Sequence, residues 1–450
     1  MTEPSCLYLE RARRPPPQFL ISCYIGFALN KSIPLLASLL LFSSVGFAQT
    51  TWYVDQGGAG DFTAIQDAIA DANVLNGDVV VVRDGLYFEN IDFFGKNLHL
   101  KSEHGPSAVT IDGFQSGSVV TFQSGEGSDA ILEGFRVTNG LNWDGGGISI
   151  MADANGNTAS PTIRNCNIEL NIGNGGGGGM HFRDGSQSLI ENCLIQNNST
   201  THYHGAGVVI FASAPVFKNC TIRNNIATGN GGGIAVWDGS DLYVNSCVFD
   251  GNQPDNIKKI AGSPQLLAEY SLALGDSNKG WFGTGCVDAA PIFATGPSGD
   301  ACLSQIASGQ GVDSPGLNEG DPSFYMHGTT RTDEMPDMGI SDMGYHYPLS
   351  GLYVSNLVAG QTAQVVVADA TPSNTVYFVW SFVGGGPVNT PFGTGYVSPP
   401  FKVVPLSTDS NGNVGLFQSV PPHVAGVNIW FHGADLGSQS MLNPLAMTIQ

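Results

Sequence analysis

A cysteine recurs every 27 residues through the middle of this chain, at Cys166, Cys193, Cys220 and Cys247. An asparagine follows each one five places on, at Asn171, Asn198, Asn225 and Asn252. The segments 163–168, 190–195, 217–222 and 244–249 register on these markers without a gap. A fixed period of this size requires a solenoid, in which each repeat is one supersecondary unit that buries its apolar face on the next. Apolar residues inside a repeat alternate with others (Cys166 and Ile168, then Met180 and Phe182), which is the period of a strand. No repeat holds the ten or more residues of 3.6-fold pattern that a helical repeat needs. Strands that repeat without reversing must stack in parallel. The reading is therefore an all-β parallel β-helix, with three short strands and three turns per coil and a rise of ~4.8 Å between coils.

In that reading the cysteine, isoleucine, phenylalanine and valine columns point inward. The asparagine columns stand at bends, where amides bond to each other and to turn backbone. Glycine marks another corner, at Gly145-Gly146-Gly147, residues 175–179, Gly205-Ala206-Gly207 and Gly231-Gly232-Gly233, each followed by an apolar-x-apolar strand. These runs are not phosphate loops, because no Lys-Ser/Thr follows them and no helix begins there.

The Asn-Cys columns and glycine corners resemble the right-handed parallel β-helix proteins of the pectate-lyase-like superfamily. The glycine repeats are similar to those of bacterial polymorphic outer-membrane proteins. The likeness spans residues 51–347 and includes an opening, Tyr53-Val-Asp and then Asp61-Phe-Thr-x-Ile-Gln-x-Ala-Ile69, that is similar to the first turn of such chains. It implies the fold more than an activity, since the superfamily holds lyases, hydrolases and adhesins.

Around the regular coils, 130–252, the chain is less uniform. An amphipathic helix is expected from Thr63 to about residue 73, with Thr63 as N-cap, Gln66 reaching back, and Ile65, Ala68, Ile69 and Ala72 on its apolar face. Its place is over the open end of the solenoid, whose strand edges need cover. Strands are expected at 52–54, 79–83, 86–90, 98–101, 109–112, 119–122 and 132–138. The period is lost over 255–347, which reads as a loop-rich closing section of the β-helix domain (49–347). Seven short strands in 351–450 give the count of an immunoglobulin-like or fibronectin-like β-sandwich. This region resembles the C-terminal module of secreted planctomycete proteins.

Residues 32–47 form an apolar run between Lys31 and Ala48-Gln49, the pattern of a secretory signal peptide, with cleavage after Ala48. The expected location is therefore extracellular or cell-surface, and no later apolar run is long enough to span a membrane. The net charge of −21 becomes −23 once 1–48 is removed. A chain this acidic is a poor partner for nucleic acid, and it could attract a cation such as calcium. Asp333, Asp337, Asp342 and His346 offer metal-ligand chemistry, although turn-forming aspartates and a packed histidine explain them as well. Asp153-Ala-Asn-Gly-Asn157 and Asp409-Ser-Asn-Gly-Asn413 lack the glutamate at position twelve of a calcium loop and read as Asn-Gly turns. Stacked thiols ~4.8 Å apart exceed the reach of a relaxed disulfide, so the four ladder cysteines are expected as buried thiols. Cys286 and Cys302 lie outside the ladder, and their pairing is left open.

Counting outward from the glycine corners gives two surface columns, one of Met151, Arg183, Phe211 and Trp237 and one of Ser149, His181, Val209 and Ala235. Aromatic faces suit the C–H patches of sugar rings and Arg183 suits a carboxylate, so Trp237, Phe211, Arg183 and His181 are the candidate carbohydrate-binding residues. The alternative is that a loop or the C-terminal region covers them. Catalytic candidates on the same face are Arg183, Asp184, Asp238 and His181, with His202 and His204 nearby. A lyase needs a base and a cation for its uronate, whereas a glycosidase needs paired carboxylates. Asp184 and Asp238 are two coils apart, roughly ~9.6 Å in height, but both sit in Asp-Gly-Ser turns. Neither the clustered aspartates of calcium-dependent pectate lyases nor the Asp-Asp and Gly-His-Gly set of polygalacturonases is present. Two more columns, Arg164/Glu191/Lys218 and Arg223/Asp250, read as exposed ion-pair ladders of small individual worth. The sequence thus favours an exported β-helix protein that binds polysaccharide, with a polysaccharide lyase or glycosidase as alternative and a purely structural envelope protein or adhesin as a further one. The state of association is left open.

Overall fold

Each repeat folds as one turn of a parallel solenoid. The computed structural model describes residues 49–450 apart from 325, 327, 336, 338, 339, 350, 410 and 411, so the predicted leader over 1–48 lies outside the described residues. In the turn that begins at Thr162, strands Thr162–Arg164, Asn167–Glu169 and Met180–Phe182 belong to three different sheets. One turn later they pair in parallel with Leu189–Glu191, Leu194–Gln196 and Val208–Ile210, setting Ile163 on Ile190, Ile168 on Ile195 and Met180 on Val208. Repetition gives first, second and third sheets of nine, eight and seven strands, with a narrow ladder of three beside the glycine corners.

The winding outruns the period. Strands Gln265–Glu269 and Leu272–Ala273 add a further turn above Asp241–Asn245 and Val248–Asp250. The second-sheet step there is 24 residues, Val248 to Leu272, so a fixed spacing of 27 misses it. Ser271 takes the cysteine's place, and its hydroxyl oxygen accepts the Cys247 N–H at 3.1 Å.

The marker columns do what their chemistry suggests. Cys166, Cys193, Cys220 and Cys247 are fully buried, and all six cysteines among the described residues are free thiols, Cys286 and Cys302 included. Each ladder thiol donates weakly to a carbonyl one turn below, as Cys193 Sγ does to Ile163 O at 3.6 Å. Burial pushes the Cys193, Cys220 and Cys247 thiols well above their usual pKa. Thiol titration of non-reduced protein in denaturant should therefore find all six, whereas under native conditions only the half-buried Cys286 should react on the first timescale. Two thiols missing from the denatured count would restore a Cys286–Cys302 bridge.

The asparagines form a continuous buried ladder. The Asn198 side-chain oxygen accepts from the Asn171 backbone N–H at 3.0 Å and from Asn171 Nδ2 at 3.1 Å, and the same pair of bonds recurs from Asn198 to Asn225 and from Asn225 to Asn252. Each Nδ2 also reaches a strand carbonyl below, that of Ile168 in the case of Asn198, at 2.9 Å. The asparagines before the cysteines make the other bend, with Asn165, Asn192 and Asn219 at φ of 55°, 50° and 48°, a left-handed conformation that asparagine tolerates.

The N-terminal helix is shorter than expected, Ile65–Ala70, and Ala72 is exposed. Thr63 does not cap it. The first two helical N–H groups, of Ile65 and Gln66, are taken by the two carboxylate oxygens of Glu89 at 2.9 and 2.8 Å, a partner 23 residues away that local capping rules do not see. Ile65, Ala68 and Ile69 join the solenoid core.

All seven strands expected after residue 350 are present. Together with an unexpected short strand, Ser440–Met441, they form antiparallel sheets of three and five strands whose buried residues, among them Leu352, Val365, Phe378 and Phe431, share one apolar core, an arrangement compatible with a β-sandwich. A short hairpin, Val388–Thr390 with Gly393–Gly395, adds to them.

The closing section is a cover. Its residues Ala301, Cys302, Tyr345 and Tyr347 bury Leu194 on the outside of the second sheet, and Met343 buries Val248 and Leu272. The Arg223 column is accordingly not exposed. Arg223 is buried and pairs with Asp300 of the closing section instead of Asp250, while its Nε donates to Gln196 Oε1 at 2.8 Å. The Arg164 column is not open either. Arg164 and His99 both meet Glu133 Oε2, at 2.8 and 2.6 Å. Burial disfavours the Glu133 anion, but His99 and Arg164 outweigh it and hold its pKa well below the usual range. A cavity of about 310 Å³ separates this column from Asp369, Asp409 and Asn413 of the C-terminal sheets.

Candidate functional site

The two predicted surface columns hold their register but not their exposure. Ser149, His181, Val209 and Ala235 are in line on the third sheet, as expected. All four are buried, His181 at 6% exposure, because the glycine corners fold up against this face. The corner glycines Gly145, Gly177, Gly205 and Gly231 have φ between 62° and 77°, which turns the chain onto the sheet. A Cβ on Gly145 or on Gly177 would stand 3.0 Å from the His181 Cβ. Periodicity shows which residues point outward, and it does not show what lies over them.

The other column, one residue past the strands, does reach solvent. Phe211 is exposed, and Arg183, Trp237 and Met151 are partly so. Their rings connect to residues the sequence reading did not choose. The Trp237 ring lies 6.0 Å from Phe211 and 5.7 Å from His204, His204 lies 6.4 Å from Tyr203, and Tyr203 lies 6.0 Å from Trp143. At the other end the Arg183 guanidinium stands 5.8 Å over Phe211 and its Nη1 is 3.2 Å from Asp144 Oδ2, next in sequence to Trp143. The series returns to where it began, as a ring of four aromatic side chains, His204 and one ion pair. Trp143 is 57% exposed.

The corner loops build this ring by alternating large and absent side chains. One loop position reads Trp143, Gly175, Tyr203, Gly229 on successive turns, held by bonds from Gly175 N–H to Trp143 O and from Gly229 N–H to Tyr203 O. A Cβ on Gly175 would come within 2.4 Å of Trp143 Nε1, and one on Gly229 within 2.5 Å of His204 Nδ1. The Trp143 and His204 rings thus occupy the space that the glycine of the next turn leaves free. The signal was legible: aligning the loops on Gly145, Gly177, Gly205 and Gly231 puts Trp143 and Tyr203 in one column.

Protonation states follow from the contacts. His204 Nδ1 accepts the Asn230 N–H at 2.8 Å, and burial lowers its pKa, so the neutral ring carries its hydrogen on Nε2. Burial pulls His181 down to about 4, with Asp144 opposing and Arg183 assisting, so it too is neutral near pH 7. His202 is exposed and bonded to Thr201. Asp184 and Asp238 are exposed at their turns, the first 3.6 Å from Arg183 Nε and the second accepting the Gly239 N–H at 3.0 Å.

The predicted metal candidates are otherwise engaged. Asp333 pairs with Arg331 at 2.6 Å, and Asp337, Asp342 and His346 are buried together in the closing section. Asp153 accepts bonds from the backbones of Asn155 and Asn157, as an Asn-Gly turn requires. Asp84, Glu103 and His104 bring ligand atoms within 4.8 Å of one another, with His104 Nδ1 already 2.9 Å from Asp84.

Comparison with known proteins decides the architecture. Residues 106–271 match the family profile described as "Right handed beta helix region". This stretch is a right-handed β-helix. Among solved structures, the β-helix is similar to a pectin methylesterase from carrot, at 16% identity and a TM-score of 0.30 over 51% of this chain and 73% of that one. It is also similar to a mutant pectin methylesterase in complex with a hexasaccharide, at 11% identity and a TM-score of 0.22 over 56% and 74%. Likeness at this level carries no argument about activity. No curated protein matches the chain in sequence.

Proposed function

We propose that this is an exported β-helix protein that binds polysaccharide on the ring formed by Trp143, Tyr203, His204, Trp237, Phe211 and Arg183. The observation that carries the reading is the connected aromatic surface itself, with Trp143, Tyr203 and Phe211 exposed. Soluble proteins rarely leave joined aromatic rings in water without a partner, and sugar rings offer the C–H faces that such rings stack on. Placing these side chains on rigid stacked turns fixes their spacing before a ligand arrives, which lowers the entropic cost of binding.

A catalytic role for the same residues fits less well. His181 is neutral, as a base must be, but it lies beneath the ring. The Arg183 guanidinium is already engaged by Asp144 and Asp184. Affinity electrophoresis against a panel of soluble polysaccharides tests the proposal. Trp237→Ala and Trp143→Ala should each weaken retention by roughly tenfold, the worth of one lost stacking contact. New reducing ends or unsaturated uronates in the same incubations would replace the binding reading with an enzymatic one.

A further inference from the structure

We infer that the ring selects an uncharged polysaccharide and rejects polyuronates, an inference that rests on the binding role proposed above. The sequence suggested Arg183 as a partner for a substrate carboxylate. In the folded chain that guanidinium already has two carboxylates, Asp144 Oδ2 at 3.2 Å and Asp184 Oδ1 at 3.6 Å, with Phe211 beneath it. A third anion would have to share the guanidinium with both of them, against their repulsion. Neither histidine supplies the missing charge. His204 accepts a backbone N–H on Nδ1, and His181 is buried beneath the ring.

The surroundings point the same way. Asp238 follows Trp237 in the chain and is exposed. The other nearby cations are Lys258 and Lys259 on the next turn of the third sheet, and Lys258 lies 3.9 Å from Asp255. Arg183, Lys258 and Lys259 are thus outnumbered by Asp144, Asp184, Asp238 and Asp255, on a chain of net charge −21. A polyanion approaching this surface meets repulsion at long range, and at short range Arg183 and Lys258 already face carboxylates, which leaves Lys259 against four aspartates.

The same groups suit hydroxyls. In a carboxylate–guanidinium pair the carboxylate accepts from one hydroxyl and the guanidinium donates to its neighbour, so the Asp144–Arg183 pair can hold a vicinal diol without loss of charge balance. The Nε2–H of neutral His204 and the Tyr203 hydroxyl add a donor and a donor-acceptor on the rim. Aromatic rings then take the apolar sugar faces. Together these match a hexose or pentose polymer without acidic groups.

The test uses the chain from residue 49 on, with mixed-linkage β-glucan, xyloglucan and galactomannan as uncharged probes and polygalacturonate and alginate as polyuronates. Retention by at least one uncharged probe is expected, unchanged between about 20 and 500 mM sodium chloride, because no ion pair forms on binding. Trp237→Ala should weaken it about tenfold. Polyuronates should pass unretained by the native protein. Asp144→Asn releases the guanidinium and removes one negative charge, so it should gain polygalacturonate retention at low salt. Retention of a polyuronate by the native protein, lost in Trp237→Ala, would overturn the selectivity and leave the ring as the binding site. Retention of an uncharged probe that survives a Trp143→Ala/Trp237→Ala double variant would overturn the binding role itself, as would retention of no probe.

Discussion

Replacing Asn198 by leucine should cost about 3–6 kcal/mol of unfolding free energy, the largest loss expected from a single side chain in the coils. The figure follows from what the substitution strands. Asn198 is 1% exposed. Its oxygen serves both the backbone N–H and the side-chain amide of Asn171, and its own amide serves Ile168 O. Leucine removes the oxygen and the amide together: the Asn171 N–H and Ile168 O each lose a bond at ~1–3 kcal/mol, and Asn171 Nδ2 is left with Val137 O alone. The bend has no slack, since Asn171 is itself buried and the carbonyls around it belong to the sheet ladders. Because each turn of a solenoid is held mainly by its neighbours, the damage should spread to the adjoining turns. Guanidinium unfolding of Asn198→Leu against the parent chain measures the loss. Native-state hydrogen exchange should show the Asn171 amide losing protection first. A shift below about 1 kcal/mol would mean that water enters the bend and replaces the amide.

That ladder was legible in the sequence because its cause is periodic. A column of identical polar residues at a fixed step has one simple structural meaning, and the cysteine column and the sheet registers come with it. What periodicity left out was whatever crosses the repeats. The cover over Arg223 comes from Asp300, 77 residues away. Glu89 replaces Thr63 as the helix cap for the same reason. His181 was placed on the correct face and given the wrong exposure, because the glycine corners that bury it belong to the same turns and fold up against the same face. Trp143 and Tyr203 were missed although the loop alignment contains them. They precede the glycine runs, whereas the apolar alternation that marks a strand follows them. The functional surface of this solenoid is built by its turns, and its strands carry the repeat.

The closing section should loosen as pH rises above about 6, and His346→Leu should remove much of that dependence. His346 is 0% exposed, its Nδ1–H donates to Gly344 O at 2.9 Å, and its Nε2 lies 3.1 Å from Asp337 Oδ2. A neutral ring would keep its hydrogen on Nδ1 and turn a lone pair toward that carboxylate. Burial disfavours the imidazolium, but Asp337 and Asp342 together with the Gly344 carbonyl outweigh it, and the pKa is raised. A raised histidine stabilises fully below its unfolded pKa of ~6.5 and loses that contribution as pH climbs through the folded value. Asp342 acts in the same direction. Burial first and Asp337 second push it up to about 6, against bonds from Thr330 and Asn318, so stability falls from the unfolded value near ~3.9 up to that point. Arg331, nearby, stays charged throughout. Glu133 works oppositely, since its lowered pKa makes its contribution vanish only as the medium turns acidic. Stability of the whole chain should therefore peak on the mildly acidic side of neutral. His346→Leu takes the imidazolium away from the buried Asp337, which keeps the Thr330 N–H at 3.1 Å, and should cost about 3–5 kcal/mol at pH 5.5, with a smaller loss at pH 8.5, where the parent has already lost the imidazolium. Because the backbone of His346 is bonded to Asn192 in both directions, at 2.6 and 2.7 Å, the loss should appear as exposure of Leu194 and the second-sheet face beneath. Thermal melts of both proteins from pH 5 to 9 decide the matter: parallel curves would show that the pair carries no charge in the folded chain.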